Sequence, residues 1–251
     1  MEIMSSGQDG VGWRRLATLA IVLASVAFAI WIAFRPASVS NSTGRPESTE
    51  SSQSSLTPEE QDRVKRVIAA GRINLPDQVS ALTSSEPTRP KSSGPGPLFS
   101  LISPVGTAVL ASRPQFTWSD AGAEAYTVTV FDESLNEVAR SARVGGTSWT
   151  STIELPRGGI YRWQVTAHRG DRNETEPRPP HPDAKFIVLD AAAVARVEAV
   201  QARLSHEPLA LGILLAEAGL VSEARVDLTR AVKVPSTSAA ARRLLESLGP
   251  R

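Results

Sequence analysis

The feature that most constrains this chain is an uncharged apolar run over residues 16–34. As a helix rising about 1.5 Å per residue, the run would be roughly 28 Å long, close to the ~30 Å hydrocarbon core of a bilayer. Tryptophan and arginine flank it: Trp13, Arg14, Arg15, Trp31 and Arg35. Such side chains favour the membrane interface, so the run predicts a single transmembrane helix over 16–34.

The alternative is a cleaved signal peptide, which would make the chain a secreted protein. Signal peptides have shorter apolar regions, ~7–15 residues, that end in small residues, whereas this run ends in Phe34-Arg35-Pro36. An uncleaved anchor is therefore favoured. The basic residues before the run predict a cytoplasmic tail over 1–15 and a periplasmic location for the bulk of the chain. Small residues at every fourth position in the run also suggest a homodimer through the transmembrane helix.

Composition excludes several classes of function. The net charge is +1, which gives no electrostatic footprint for nucleic acid, and cysteine is absent, which excludes disulfides, thiolate zinc sites and cysteine nucleophiles. The sequence has no G-x-S-x-G, H-E-x-x-H or G-x-x-x-x-G-K motif. We therefore expect no enzymatic activity and no cofactor. An enzyme built on scattered carboxylates has no support in their spacing.

Two polar segments divide the rest of the chain. Residues 35–56 are rich in Ser and Thr and residues 84–97 in Ser, Pro and Gly, so both are expected to be linkers, the first a disordered tether. Between them, 57–83 is expected to be a small helical element. Thr57 and Glu60 form a capping box around Pro58, and Gly71 ends the helix.

Residues 98–189 alternate apolar and polar side chains, with turn residues between the runs. This pattern predicts about seven short strands in an antiparallel β-sandwich. The large aromatic side chains at inward positions are expected to form its core: Trp118, Tyr126, Tyr161 and Trp163. Trp149 is likewise assigned inward. An exposed aromatic surface would instead indicate a cell-surface carbohydrate-binding accessory protein.

Four motifs in this region resemble a fibronectin type III domain. They are PQFTW at 114–118, AYTVTV at 125–130, LPRG at 155–158 and YRWQVTA at 161–167. The resemblance implies that Trp118 lies on the second strand and that Tyr161 makes a corner hydrogen bond after the LPRG turn. The segment 174–183 departs from the pattern because it holds four prolines, which predict an extended or edge stretch in place of a hairpin.

From Asp190, a predicted helix cap, the period becomes helical through 190–251. The spacing of small and large residues resembles a tetratricopeptide hairpin: Leu211, Gly212, Leu215, Gly219, Ala224, Leu228 and Ala231. Such repeats need neighbours that cover their faces. If the helices beginning at 191 and 238 do not cover them, Leu211, Leu215 and Leu228 would form an exposed protein-binding patch. If these helices do cover the hairpin, the bundle is closed and only a groove that remains on it can bind a partner.

The expected fold class is thus a single transmembrane helix followed by α+β domains, a fibronectin-like β-sandwich and a small helical appendage. This order resembles the extracytoplasmic half of bacterial membrane-anchored regulators, of the anti-sigma-factor-like or kinase-linked kind, here without their cytoplasmic domain. The resemblance implies a scaffold or sensor accessory that binds another protein outside the cytoplasm. We expect the three histidines to be solvated surface residues and not metal ligands. The arginines of the sandwich are expected to be interleaved with acids: Arg140, Arg143, Arg162, Arg169, Arg172 and Arg178.

Overall fold

The computed structural model describes residues 55–83, 97–179 and 181–249, which belong to one compact unit. The expected tail, transmembrane segment and most of the tether lie outside these residues, as does nearly all of the linker at 84–97. Among the described helices, none has the length and apolar character needed to cross a membrane. The described residues form six helices and nine strands, which confirms a mixed α+β fold.

Two helices precede the strands, where the sequence pointed to one. Helix α1 (Pro58–Ala70) has the predicted capping box: the Glu60 N–H donates to Thr57 Oγ1 (3.3 Å), and the Thr57 N–H donates to the Glu60 carboxylate (2.8 Å). Gly71 ends α1 with a φ of 65°, a left-handed conformation that glycine adopts at little cost. Helix α2 (Asp77–Thr83) follows after a loop over 71–76.

The strands form two sheets that share one core. In chain order they are β1 (Leu101–Ser103), β2 (Thr107–Val109), β3 (Gln115–Trp118), β4 (Ala125–Phe131), β5 (Glu137–Arg140), β6 (Ser148–Thr150), β7 (Ile160–Arg169), β8 (Arg172–Glu176) and β9 (Ala184–Val188). One sheet has the order β1-β3-β6, and the other has the order β2-β9-β7-β4-β5 with β8 also paired to β7. All these pairs are antiparallel except β2 with β9.

The alternation along β4 and β7 fills the space between the sheets. Trp118, Tyr126, Tyr161 and Trp163 are all at most 4% exposed and lie in one apolar cluster. Two of them also anchor loops: Tyr161 Oη donates to the Pro156 carbonyl (2.7 Å), and Trp163 Nε1 donates to the Pro104 carbonyl (2.7 Å). Buried aromatic groups with satisfied polar atoms hold the loops and the sheets in one arrangement.

The expectation of an extended or edge stretch over 174–183 holds for residues 174–176, which belong to the edge strand β8, but the exclusion of a hairpin was wrong for these residues. Strand β8 pairs with β7 as an antiparallel hairpin up to Glu176, because the turn at Gly170, with a φ of 54°, reverses the chain directly after β7. Pro177, which has no N–H to donate, follows the last residue of β8. Strand β9 then pairs with the other half of β7, so two short strands share one edge of β7.

Four helices complete the chain: α3 (Ala191–Leu204), α4 (Pro208–Glu217), α5 (Val221–Val232) and α6 (Ser238–Ser247). The predicted cap of α3 is confirmed, since the Asp190 carboxylate accepts the Ala193 N–H at 2.7 Å. Helices α1 and α2 share the apolar core of α3–α6, where Val64 and Val79 lie in one cluster with Leu215. We call 55–83 together with 190–249 the helical region, and 97–189 the sheet region.

Hydrogen bonds join the sheet region to the helical region. The Ala108 N–H on β2 donates to the Gly219 carbonyl in the α4–α5 turn (2.8 Å), and Thr107 Oγ1 accepts the Val221 N–H (3.0 Å). Gly219 has a φ of 86°, and a Cβ there would lie 2.7 Å from Val79 Cγ2. Glycine is therefore required both by the turn and by the close approach of α2. We call this contact the seam.

Helices α4 and α5 approach closely at Gly212. A Cβ at this position would lie 2.8 Å from Leu228 Cγ and 3.1 Å from the Leu228 backbone nitrogen. Leu228 is fully buried, so it has no free space into which it can move. The glycine therefore sets the distance between the two helices.

We predict that Gly212→Ala destabilises the protein by about 1–2 kcal/mol, because overpacking outweighs the better helix propensity of alanine. The matched control is Gly145→Ala, where the new Cβ would have no heavy atom within 4 Å and the backbone φ is not positive. Urea unfolding of both variants measures the difference. Equal stability of the two variants would show that α4 and α5 do not approach as described.

Candidate protein-binding groove

A groove of about 490 Å³ lies between helices α1, α3 and α4, and we call it the groove below. This volume falls within the ~300–1,000 Å³ typical of ligand sites. Its lining combines an apolar floor with a charged rim: Glu60, Arg63, Ala193, Arg196, Val197, Ala199, Val200, Arg203, Leu214, Leu215, Glu217 and Ala218. The site therefore has the composition of a binding surface.

Helical periodicity places these side chains. On α3, Val197, Val200 and Leu204 recur at spacings of three and four, so they share the face that packs on α4. Arg196 and Arg203 flank that stripe and reach the rim. Glu60 and Arg63, three residues apart on α1, form the opposite wall. The groove is thus built from segments that lie far apart in the sequence.

Glu60 connects α1 to α3. Its carboxylate accepts two hydrogen bonds from Arg203, at 2.7 Å from Nη2 to Oε1 and 3.1 Å from Nη1 to Oε2. These bonds lower the pKa of Glu60 from its ordinary 4.5 to about 2, burial opposes the shift, and the capping bonds to Thr57 add to it. Arg203 Nη1 also donates to the Ser55 carbonyl (2.9 Å). A bidentate pair of this kind fixes geometry as well as charge.

Glu217 has a different environment. Its Oε2 is buried without a hydrogen bond from any described residue, and the nearest cation is Arg63, whose Nη1 lies 4.0 Å away. Burial raises the pKa of Glu217, while Arg63 and Arg66 oppose the shift. In the groove, both oxygens of the Glu60 carboxylate therefore accept hydrogen bonds, whereas Glu217 Oε2 accepts none from a described residue.

The three leucines considered as a binding patch are buried. Leu211 is 5%, Leu215 1% and Leu228 0% exposed. Helices α1, α3 and α6 share their core, so the bundle is closed and no patch is exposed at these positions. Of the three, Leu215 alone lines the groove. This arrangement corresponds to the alternative in which a remaining groove binds.

The aromatic and histidine side chains form no second site among the described residues. Trp163 is 1% exposed, and Trp149 is half-buried and stacks on Phe116 with ring centroids 5.5 Å apart. His168 bonds to Thr127 and Asn173 on the outer face of the sheet. No group of three His, Asp or Glu residues in the described part of the chain is arranged to hold a metal ion.

The arginines of the sheet region are interleaved with acids, as predicted. Four of the six form ion pairs: Arg140 with Glu137, Arg162 with Asp183, Arg169 with Glu174 and Arg178 with Glu176. Their charges are thus largely neutralised locally, which leaves the groove as the stronger candidate.

Sequence reasoning identified Glu60 only as a capping residue and missed Arg63, Arg196 and Glu217. The signal that was present is the i, i+3 spacing of Glu60 and Arg63 on α1. That spacing does not indicate which element α1 packs against.

No protein-family model matches this chain, and comparison with curated proteins gives no match.

We predict that Glu60 makes stability depend on pH between about 4.5 and 2. Its folded-state pKa lies below its ordinary value, so its contribution is complete above pH 4.5 and is lost as the pH falls through about 2. Burial raises the pKa of Glu217 and of Glu223 on α5, so the contribution of these two acids to stability increases as the pH falls. The measurement is therefore the difference in unfolding free energy between the parent and Glu60→Gln. That difference should shrink steadily on acidification, and a difference independent of pH would refute the pairing.

Proposed function

We propose that this protein is a non-enzymatic, single-pass membrane protein that binds another protein outside the cytoplasm through the groove. The observation that carries the proposal is the groove itself, with buried Val197, Leu214 and Leu215 beneath a rim of charged side chains. Interfaces commonly combine an apolar centre with a polar rim. Membrane anchoring rests on the sequence of residues 16–34.

Several structural features support the resemblances stated above. The sheets β1-β3-β6 and β5-β4-β7-β9 have the arrangement expected of a fibronectin type III sandwich, and Tyr161 makes a corner hydrogen bond to Pro156. The close packing of Gly212 on Leu228 is what a tetratricopeptide-like hairpin requires. We propose that 98–189 is such a sandwich and that α4 and α5 are such a hairpin.

The helices around α4 and α5 replace the neighbouring repeats that such a hairpin needs. Helices α1 and α3 cover one side of α4, and α6 packs on α5. These helices cover the faces that further repeats would otherwise cover, and the groove between α1, α3 and α4 is a concave surface that remains accessible. No observation favours carbohydrate binding, since the described tryptophans pack into or against the core.

A groove-filling substitution tests the proposal more cleanly than truncation. Ending the chain at Leu189 would remove the core partners of Val64 and Val79 and so expose α1 and α2. Ala193 lines the groove, whereas its neighbour Ala192 is exposed and lies outside the lining. Tryptophan at either position adds the same side chain to the same helix.

We predict that Ala193→Trp abolishes capture of the partner from detergent-solubilised membranes and that Ala192→Trp leaves it intact, because only the first side chain occupies the groove. Quantitative pull-down of the full chain with each variant gives the comparison, with thermal melting as a check on folding. Undiminished capture by a folded Ala193→Trp variant would move the binding site elsewhere.

A further inference from the structure

We propose that the groove is selective for an acidic peptide segment that carries apolar side chains. This inference rests on the proposed function and specifies the chemistry of the partner. Apolar side chains of the segment lie on the floor made by Val197, Val200 and Leu214, and a carboxylate lies between Arg63 on α1 and Arg196 on α3.

The groove lining holds three arginines and two glutamates. Arg203 is committed to Glu60 by two hydrogen bonds. Arg63 forms a long ion pair with Glu217 (4.0 Å) but no hydrogen bond with it, and Arg196 forms no hydrogen bond or ion pair with the residues that the structure describes. Two guanidinium groups on facing walls therefore have donors to offer, and a carboxylate is the complementary group.

The floor determines what the carboxylate must be attached to. The accessible apolar surface of the groove comes from side chains of its lining that are half-buried or exposed: Ala193, Ala199, Val200 and Ala218. A free inorganic anion would leave that surface wet, whereas a peptide buries it while its acidic side chain reaches the rim.

The tether of this chain is the competing occupant. Ser55 is held at the rim by Arg203, and the preceding residues 46–54 contain Glu47 and Glu50. They contain no large apolar side chain, so they cannot cover the floor. We therefore assign the groove to a separate polypeptide. The experiment below also tests whether the tether occupies it.

Fluorescence anisotropy on the full chain in detergent micelles tests the inference. The probe is a short labelled peptide of glutamate and leucine; one matched peptide has glutamine for each glutamate, and another has serine for each leucine. We expect the glutamate–leucine peptide to bind at least about tenfold more tightly than either matched peptide. Its affinity should also fall as salt is added, because charges attract it to the rim.

Variants locate the binding. Arg63→Gln and Arg196→Gln should each weaken binding about tenfold, a loss of about 1.4 kcal/mol, whereas Arg242→Gln, the same change at an exposed residue of α6, should not. Equal binding of the glutamine–leucine peptide would overturn acid recognition. Binding that appears only in a Glu47→Gln, Glu50→Gln variant would assign the groove to the tether. Failure of all peptides while Ala193→Trp still blocks partner capture would reject this chemistry but leave the proposed function standing.

Discussion

The Glu60 carboxylate is the group on which the shape of the groove depends. It accepts the Thr57 N–H that begins α1 and two hydrogen bonds from Arg203, a residue 143 positions further along the chain. One carboxylate thus caps the start of α1 and holds that helix against α3, and its Oε2 takes part in both interactions. Because α1 forms one wall of the groove, a local capping interaction determines the shape of a surface built from distant parts of the sequence.

The seam attaches the helices that line the groove to the sheet region. The strand β2 pairs with β9 along one edge and hydrogen-bonds to the α4–α5 turn through Thr107 and Ala108. Helix α2 packs against both strands, so apolar contacts surround the hydrogen bonds. The sheet region and the helical region therefore share a continuous interface. A protein bound in the groove would therefore contact helices that pack against the sheet region.

Local features of this fold were predictable, and long-range features were not. The capping box at Thr57, the Asp190 cap and the alternation along β4 and β7 follow from neighbouring residues, and the structure has all three. Helix α4 is buried at every position from Ala210 to Ala216, so its sequence has no polar face from which the groove side could be read. The packing of α1 on α4 depends on contacts between remote segments, which periodicity does not encode.

Site-specific photocrosslinking can show whether a partner protein occupies the groove. A photoreactive amino acid at Val200, inside the groove, is compared with one at Glu198, exposed on the same helix outside the lining. In intact membranes, we expect a crosslinked partner from position 200 and none from position 198. The same crosslink from both positions, or from position 198 alone, would contradict this expectation.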